Sequence, residues 1–365
     1  MSEKLPSLDA IRREIDGIDA DIQRLISARA RCAQQVAEVK KATEPEATVF
    51  YRPEREAQVL NKVMARNEGP LHPEEMARLF REIMSACLAL EHPLSIAFLG
   101  PNGTFTQTAA LKHFGHSVKT LPLANIDDVF REVAAGSVNY GVVPVENSSE
   151  GMVSHTLDSF LDSNLHIIGE VELRIHHHLL VSEGTQVASI SRIYSHQQSL
   201  AQCRKWLDTN FPKAERVAVS SNAEAARRIK GEWHSAAIAG ETAAELYGLT
   251  KLHERIEDNP NNTTRFLIIG RESVARSGDD KSSIIVSVRN NEAGALYSLL
   301  EPFYRRGINL TRIESRPSKH DVWTYVFFID FEGHQDDPLV QEVMAELEPR
   351  MRQVKWLGSY PRAVL

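Results

Sequence analysis

Residues 8–40 read LDAIRREIDGIDADIQRLISARARCAQQVAEVK, and their apolar members recur at alternating spacings of three and four residues. This spacing is typical of an α-helix with one apolar seam, so the sequence predicts a single long helix with Ser7 as a possible N-cap. A seam of this kind buries its side chains only against other helices. The seam consists of Leu8, Ile11, Ile15, Ile18, Ile22, Leu25, Cys32, Val36 and Val39.

A charged residue interrupts this seam. The seam position that follows Leu25 is Arg29, and burying a guanidinium group is costly unless an anion pairs with it. Two interpretations stay open from the pattern alone. Arg29 either turns outward or meets a carboxylate side chain, or an anionic ligand lies inside a helical bundle.

Two further cations border the seam. At about 1.5 Å of rise per residue, Lys40 lies roughly 16 Å from Arg29, within joint reach of a small ligand. Arg12 lies about 25 Å from Arg29, too far to share that ligand within one helix. If all three cations serve one ligand, Arg12 must come from an antiparallel second subunit, which predicts an obligate homodimer.

Two shorter helices complete the first region. One begins at Pro53, a favoured first-turn residue, and is closed by Gly69-Pro70. The other runs from Pro73 to Glu91, and Pro93 follows it. The first region is therefore predicted to be all-helical.

Composition limits the possible classes of function. The chain has 365 residues, 42% of them hydrophobic and 25% charged, as expected for two or three globular domains. The formal net charge of −7 argues against a general nucleic-acid binder. No apolar run approaches the ~20 residues of a membrane span, and the first residues lack the layout of a signal peptide, so we expect a cytoplasmic protein without membrane association. Cys32, Cys87 and Cys203 show neither metal nor redox spacing.

The first region resembles the all-helical chorismate mutase family, in the form fused to prephenate dehydratase. The resemblance lies in LDAIRREID (8–16), the spacing of Arg29 and Lys40, YRPEREAQVL (51–60) and the last helix. It implies a domain-swapped helical dimer that binds the dicarboxylate chorismate without a cofactor or a metal. The implied catalytic residues are Lys40 and Glu91. The implied chorismate-binding residues are Arg12 of the partner subunit, Arg29, Lys40, Arg52, Arg55, Glu56, Cys87 and Glu91.

These residue types suit the implied reaction. A sigmatropic rearrangement needs a compact substrate conformer and hydrogen-bond donors where negative charge develops, and it needs no nucleophile. Two positions depart from the family pattern: Arg52 stands where many relatives have an acidic residue, and Glu91 where many have glutamine. A glutamate donates a hydrogen bond only when it is protonated, so we expect mutase activity either to fall as pH rises or to depend on a Glu91 pKa raised by burial. The alternative is that Glu91 is a solvated residue at the end of the helix.

In the second region, from Ser95 to about Gly270, β-branched runs alternate with helical stretches, which predicts an α/β unit. A strand at 95–99 leads through a glycine turn into a helix, an arrangement that presents free N–H groups to an anion. A strand at 140–145 ends in polar residues, and ligands collect at such carboxyl ends. Three consecutive histidines at 176–178 cannot face one point on a strand, so no metal site is predicted.

Four motifs of this region together resemble prephenate dehydratase: GPNGTFT (100–106), VVPVENSSEG (142–151), YSHQQ (194–198) and NTTRF (262–266). The resemblance implies two α/β lobes around a cleft, as in periplasmic binding proteins, with Thr264 as the catalytic residue that assists departure of the ring hydroxyl. On a regular strand Arg265 faces away from Thr264, so either the strand is irregular there or Arg265 is structural. The prephenate-binding residues expected are Gly103, Thr104, Glu146, Asn147, Ser148, Arg265 and Phe266, with Glu146 as the candidate acid.

After a polar link at 271–280, the order strand–helix–strand–strand–helix–strand predicts a ferredoxin-like unit. Its motifs GAL (294–296) and ESRP (314–317) resemble the effector-binding motifs of the ACT domain of prephenate dehydratases. The resemblance implies allosteric inhibition by L-phenylalanine, bound between paired ACT domains. The implied effector residues are Gly294, Ala295, Leu296, Asn309, Leu310, Glu314, Ser315 and Arg316.

The sequence therefore predicts a multidomain chain with an all-α helical domain (1–92), a bilobal α/β domain (94–271) and an α+β ferredoxin-like domain (281–361). The resemblances imply an isomerase and lyase of phenylalanine biosynthesis, which converts chorismate to prephenate and prephenate to phenylpyruvate. Pairing of the dimer into a tetramer, arogenate as the second substrate, and a metabolite sensor without catalysis remain alternatives.

Overall fold

The computed structural model describes residues 7–43, 49–288, 293–317 and 325–364. In these ranges the chain forms a helical unit, an α/β unit with two sheets and a C-terminal α+β unit, in the predicted order. None of the helices in the described ranges is long and apolar enough to cross a bilayer.

Three helices form the first unit: α1 (Leu8–Thr43), α2 (Pro53–Ala65) and α3 (Pro73–Glu91). The 36 residues of α1 confirm the single long helix that the apolar seam predicts. Helix α3 packs against both α1 and α2. The seam of α1 is not covered by these contacts, since Ile15 is 50% exposed and Leu25 57%. An apolar stripe of this length is the face that another helix would cover.

The α/β unit contains two sheets. Its first half comprises β1 (Ser95–Leu99), α4 (Phe105–Phe114), β2 (Lys119–Leu123), α5 (Ile126–Ala135), β3 (Tyr140–Asn147), β4 (Gly151–Met152), α6 (Ser154–Asp162) and β5 (His166–Arg174). Its second half comprises β6 (His178–Val181), β7 (Arg192–His196), α7 (Gln197–Gln202), α8 (Arg204–Asn210), β8 (Glu215–Val219), α9 (Asn222–Arg228), β9 (Ser235–Ala239), α10 (Glu241–Tyr247), β10 (Thr250–His253) and β11 (Thr263–Gly270).

Strand β11 returns the chain from the second lobe to the first. The first sheet has the order β2-β1-β3-β11-β5, with β4 paired to β3, and the second has the order β10-β6-β9-β7-β8. Strand β11 runs antiparallel to both β3 and β5. The two lobes are joined where β5 leads to β6 and where β10 leads to β11. The first residues of β11 therefore lie beside this junction.

The C-terminal unit comprises β12 (Asp280–Ser287), α11 (Ala295–Arg305), β13 (Leu310–Pro317), β14 (Tyr325–Glu332), α12 (Pro338–Leu347) and β15 (Gln353–Pro361). Its antiparallel sheet has the order β13-β14-β12-β15, which confirms the predicted ferredoxin-like pattern. Trp323, the predicted start of the fourth element, lies outside the described residues.

Strand β15 packs against β5 of the first lobe, which brings the C-terminal unit close to the α/β unit. A Cβ atom added to Gly358 would lie 2.2 Å from the carbonyl oxygen of Ile167, and Gly358 has a positive φ of 146°. Only glycine permits this approach of two backbones.

Candidate active sites

A pocket in the helical unit is lined by two of the three cations predicted along α1. It encloses about 330 Å³, and α1 contributes Arg29 and Lys40 to its wall. This volume lies within the range of small-ligand sites, roughly 300–1,000 Å³. Helices α2 and α3 and the segment before α2 supply the other walls. The other predicted substrate residues that line this helical pocket are Arg52, Arg55, Glu56, Cys87 and Glu91.

Arg12 is not among the residues of the helical pocket. Its side chain is 68% exposed, and its nearest carboxylate is Asp9 at 3.9 Å. About 25 Å of helix separate Arg12 from Arg29. Within one chain the structure therefore does not bring this predicted residue to the pocket.

The segment between α1 and α2 holds Lys40. The Lys40 ammonium group donates a hydrogen bond to the carbonyl oxygen of Val49 at 3.2 Å and lies 5.7 Å from the centre of the Phe50 ring. Arg52, which replaces an acidic residue of the family pattern, pairs with Glu54 at 3.3 Å. The charge of Arg52 is thus offset by a carboxylate two residues away.

Glu91 is half-buried at the end of α3. Burial raises the pKa of Glu91, and although Lys40 and Arg29 act in the opposite direction, the net shift is upward. This is the direction that a hydrogen-bond donor at this position requires, because a raised pKa extends the protonated form to higher pH.

Glu56 pairs with Arg81, a residue that sequence reasoning missed. The Nε atom of Arg81 lies 3.2 Å from a carboxylate oxygen of Glu56, and the two side chains are only 9% and 16% exposed. Burial raises the pKa of Glu56, and the Arg81 guanidinium counteracts part of this shift. In the sequence, position 81 lies at the edge of the apolar face of the third helix, where a charged residue gives little indication of burial.

The second site is a cleft of about 610 Å³ between the two lobes of the α/β unit. Both lobes contribute to its lining. Of the residues that the sequence predicts for prephenate, Thr104, Asn147, Thr264 and Phe266 line this interlobe cleft.

A β-bulge aims the side chains of β3 and β11 into the cleft. Thr264 pairs with Asn147, and Phe266 pairs with Pro144, because the register shifts by one residue between these two pairs. Val145 is the extra residue of β3. As a result Asn147 and Pro144, three residues apart, both line the cleft together with Thr264 and Phe266.

The hydroxyl group of Thr264 has a defined direction. The amide nitrogen of Asn147 donates to the Thr264 oxygen at 2.7 Å, while the amide oxygen of Asn147 accepts from the backbone N–H groups of Ser149 and Glu150. These backbone donors fix the orientation of the Asn147 amide. Among the described residues no acceptor takes the Thr264 proton, which is therefore available to a ligand in the cleft.

A chain of side-chain hydrogen bonds continues from Asn147 into the second lobe. Asn147 donates to Asn262 at 3.0 Å, Asn262 donates to Gln202 at 3.1 Å, and Gln202 donates to Glu150 at 3.3 Å. The His177 ring meets the same Gln202 oxygen at 2.9 Å. All of these residues line the cleft. Except for Asn147, sequence reasoning missed these residues, although Glu150 and Asn262 lie inside the quoted motifs.

The structure contradicts the placement of Arg265 and Glu146 in the cleft. Arg265 donates to Glu170 at 2.8 Å and to Asp330 of the C-terminal unit at 2.6 Å. Glu146 lies 3.7 Å from the guanidinium group of Arg312, also in the C-terminal unit. The two residues pair across β11 and β3, and strand alternation turns both away from the face that bears Thr264. The strand pair is irregular beside Arg265, but the bulge does not turn this side chain into the cleft, and its ion pairs favour the structural alternative.

Two other predicted residues support the cleft without lining it. Gly103 is buried, with a positive φ of 86°, and its backbone N–H donates to the Gln107 side chain at 2.6 Å. The hydroxyl of Ser148 accepts from the backbone N–H of Thr263 at 3.0 Å. In this structure both residues support the backbone around the cleft, because the hydrogen-bonding groups named here are used within the protein.

The predicted effector residues lie at the start of α11 and on β13. Gly294 has a positive φ of 87°, next to Ala295, and the Leu296 side chain is 45% exposed. Asn309 donates to Glu332, and Leu310, Glu314 and Ser315 lie on β13. Arg316 lies 3.2 Å from Asp158 of the first lobe, so its guanidinium binds the α/β unit, contrary to the prediction.

The three consecutive histidines meet separate partners. His176 lies 2.7 Å from Glu257, His177 contacts Gln202, and His178 accepts from the backbone N–H of Arg255 at 3.3 Å. No group of three histidine, cysteine, aspartate or glutamate side chains within the described ranges is arranged to hold a metal ion.

Three family models match successive parts of the chain. Chorismate mutase type II matches residues 11–92, prephenate dehydratase matches residues 96–274, and the ACT domain matches residues 282–349.

Relatives match over nearly the whole length. A bifunctional chorismate mutase/prephenate dehydratase of Pseudomonas aeruginosa is 65% identical over 360 residues, which cover 98% of each chain. A protein of the same description from Neisseria gonorrhoeae is 51% identical over 97% of each chain. Among solved structures, a prephenate dehydratase of Arthrobacter aurescens in complex with L-Phe matches with a TM-score of 0.69 and 36% identity, over 74% of this chain and 90% of that one.

Proposed function

The chain belongs to the family of bifunctional chorismate mutase/prephenate dehydratases with an ACT domain, and we propose a separate function for each of its three units. The helical pocket rearranges chorismate to prephenate. The interlobe cleft converts prephenate to phenylpyruvate, and the C-terminal unit binds phenylalanine as a feedback inhibitor.

One observation carries the assignment of the helical pocket. Three cations from α1 and α2 line a single small cavity: Arg29, Lys40 and Arg55. The same cavity is lined by two glutamates, Glu56 and Glu91. Arginines suit a dicarboxylate because they bind carboxylates in bidentate fashion and remain charged. The cavity also contains the two carboxyl groups that the reaction can use as acceptor and donor.

In the proposed mutase step, the arginines hold the two carboxylates and compress the substrate into its reactive conformer. Lys40 and protonated Glu91 donate to the ether oxygen as the C–O bond breaks and the new C–C bond forms. Glu56 accepts a hydrogen bond from the ring hydroxyl. The partner's Arg12 completes the site, so the active species is a homodimer.

In the proposed dehydratase step, the bond between the ring and its carboxylate breaks and CO2 leaves. The electron pair moves through the ring, the C–O bond to the ring hydroxyl breaks, and the ring becomes aromatic. The Thr264 hydroxyl donates a hydrogen bond to the departing hydroxyl group of the ring. That group leaves as hydroxide, or as water after it is protonated. Phe266 offers an apolar surface to the departing carboxylate. Glu150 replaces Glu146 as the candidate acid, because Glu150 lines the cleft.

We further propose that phenylalanine regulates the protein and that the protein is cytoplasmic. The structure of the Arthrobacter aurescens relative contains L-Phe, which supports the same effector for this chain. Inhibition requires that phenylalanine bind one quaternary state more tightly than another. Pairing of dimers into a tetramer would provide such states. The free thiols of Cys32, Cys87 and Cys203 suit the reducing cytoplasm.

The direct test supplies the purified chain with chorismate, prephenate or arogenate, each with and without phenylalanine. We expect chorismate and prephenate both to yield phenylpyruvate, and phenylalanine to lower the dehydratase rate. Turnover of arogenate in preference to prephenate would reassign the second substrate. Binding of these compounds without turnover would favour a metabolite sensor and contradict the proposal.

A further inference from the structure

Helix α3 of the helical unit docks on the carboxyl end of α4 in the first lobe. A Cβ atom added to Gly115 would lie 2.5 Å from the Cβ atom of Ser85, and Gly115 has a positive φ of 74°. Only glycine permits so close an approach. The Glu82 carboxylate binds both the ring of His116 at 2.8 Å and its backbone N–H at 3.1 Å. Through these contacts the helical unit packs against the first lobe.

Arg81 lies in the middle of this contact, with 8% of its surface exposed. Its Nε atom donates to Glu56 at 3.2 Å, and a terminal nitrogen donates to the backbone carbonyl oxygen of Lys112 at 3.0 Å. A planar guanidinium with donors in a fixed fork links such a pair rigidly. One side chain thus joins the wall of the helical pocket to α4.

A second wall residue of the helical pocket is also anchored in the first lobe. Tyr51 is 4% exposed, and its hydroxyl lies 2.9 Å from the Nε2 atom of His113. Its ring packs against Phe114 and Tyr140, with centroid distances of 5.2 and 5.4 Å. Burial lowers the pKa of His113 to about 3, so this imidazole stays neutral near pH 7 and adds no charge behind the pocket.

The opposite end of α4 belongs to the interlobe cleft. Thr104, Phe105 and Thr106 at the start of the helix line that cleft. At about 1.5 Å per residue, Phe105 and His113 are roughly 12 Å apart along the helix. The same short helix therefore lines the interlobe cleft at one end and contacts Tyr51, a wall residue of the helical pocket, at the other.

We propose that Arg81 is a positioning residue of the chorismate site, which holds Glu56 in place and uses the Lys112 carbonyl at the end of α4 as its fixed point. This inference rests on the proposed mutase function. Without Arg81, Glu56 becomes a largely buried carboxylate that lacks its partner, and its position relative to the ring hydroxyl is no longer defined. Arg81 acts through Glu56 and does not touch the substrate.

The first experiment compares Arg81→Gln with the wild-type protein in the full-length chain. We expect kcat/KM for chorismate to fall on the order of 10²-fold, because misplacing a substrate-orienting group has that effect. The dehydratase rate with added prephenate should change by less than about twofold, since Thr264 lies in the other site. Arg78→Gln is the matched control, because Arg78 is 61% exposed and, among the residues that the structure describes, its ion pair is with Glu75 on its own helix. This control should leave both rates unchanged.

The second experiment is a double-mutant cycle with Glu56→Gln. If Arg81 acts through Glu56, Arg81→Gln should lower kcat/KM by less than about twofold in the Glu56→Gln background. Losses that multiply would overturn the proposal, as would wild-type mutase kinetics of Arg81→Gln. If Arg81→Gln does not fold, Arg81→Lys replaces it in the cycle, because lysine keeps the charge beside Glu56 but not the fork. A wild-type chain that fails to rearrange chorismate would instead refute the proposed function.

Discussion

The oxygen of Thr264 receives a hydrogen bond from Asn147, and this contact decides what Thr264 can do. Because no acceptor among the described residues takes its proton, the hydroxyl is free to donate to a ligand in the cleft. The motif resemblance identified Thr264 and Asn147 separately. Their hydrogen bond spans 117 residues of sequence, and the contacts of Asn262 with Asn147 and with Gln202 span 115 and 60 residues, which no local pattern predicts.

Replacement of Thr264 tests the proposed dehydratase step. We expect Thr264→Val to lower kcat for prephenate by roughly 10²–10⁴-fold, because the donor to the departing hydroxyl is lost. Thr264→Ser keeps the hydroxyl and should lose far less. Thr263→Val, one residue earlier on β11, is the matched control. Steady-state kinetics with prephenate measure the effect, and near wild-type activity of Thr264→Val would exclude the proposed role.

The proposed role of Glu91 predicts that the rate of the mutase reaction depends on pH. Only its protonated form donates to the ether oxygen, so kcat for chorismate should fall as pH rises through the raised pKa of Glu91. Glu91→Gln carries a permanent amide donor and should lack this fall. The measurement is kcat against pH for both proteins. Identical profiles would mean that protonation of Glu91 does not control the reaction.

At the scale of elements, the pair β3 and β11 has two faces with different tasks. The cleft face bears Thr264 and Phe266, and the opposite face bears Arg265 in contact with Glu170 and Asp330. Strand alternation alone predicted that Arg265 faces away from Thr264, whereas carry-over from the motif placed it on the substrate. The structure favours the alternation rule. The bulge at Val145 was not predicted, because a register shift depends on the partner strand.

Arg265 therefore anchors the catalytic strand to the C-terminal unit. Burial raises the pKa of Asp330, but Arg265 and Arg312 outweigh this effect and keep it below its usual value. Arg265→Met leaves two buried carboxylates without this partner, and breaking such a pair costs about 3–5 kcal/mol. We expect a lower melting temperature, a lower prephenate rate and weaker inhibition by phenylalanine.

Arg192→Met is the matched control for Arg265→Met, because Arg192 is 57% exposed and pairs with Glu215 in the second lobe. Exposed pairs of this kind contribute little to stability, about 0–1 kcal/mol. Thermal unfolding and phenylalanine titrations of both variants measure the difference. If Arg265→Met behaves like the control, the anchoring role of Arg265 is wrong.

At the scale of the whole molecule, the apolar seam of α1 is longer than the other helices of its unit can cover. The sequence predicted its length and its apolar seam, and the structure adds that Ile15, Ile18, Ile22 and Leu25 remain about half exposed or more within one chain. The seam pattern singled out Arg29 and left its interior position as one of two alternatives, whereas nothing in the pattern indicated the contribution of Arg81. Arg81 acquires its role only when α3 meets α4, a contact between domains that sequence periodicity does not encode.

Each proposed mutase site combines residues of two chains, and a hybrid dimer tests this sharing most directly. Arg12→Ala and Arg29→Ala should each abolish mutase activity as homodimers. In a hybrid of the two, purified through different affinity tags, one site has both substitutions and the other has none, as two-fold symmetry requires. We expect the hybrid to recover roughly half of the wild-type mutase rate per dimer. A hybrid as inactive as its parents, or a monomer with full activity, would contradict the shared site.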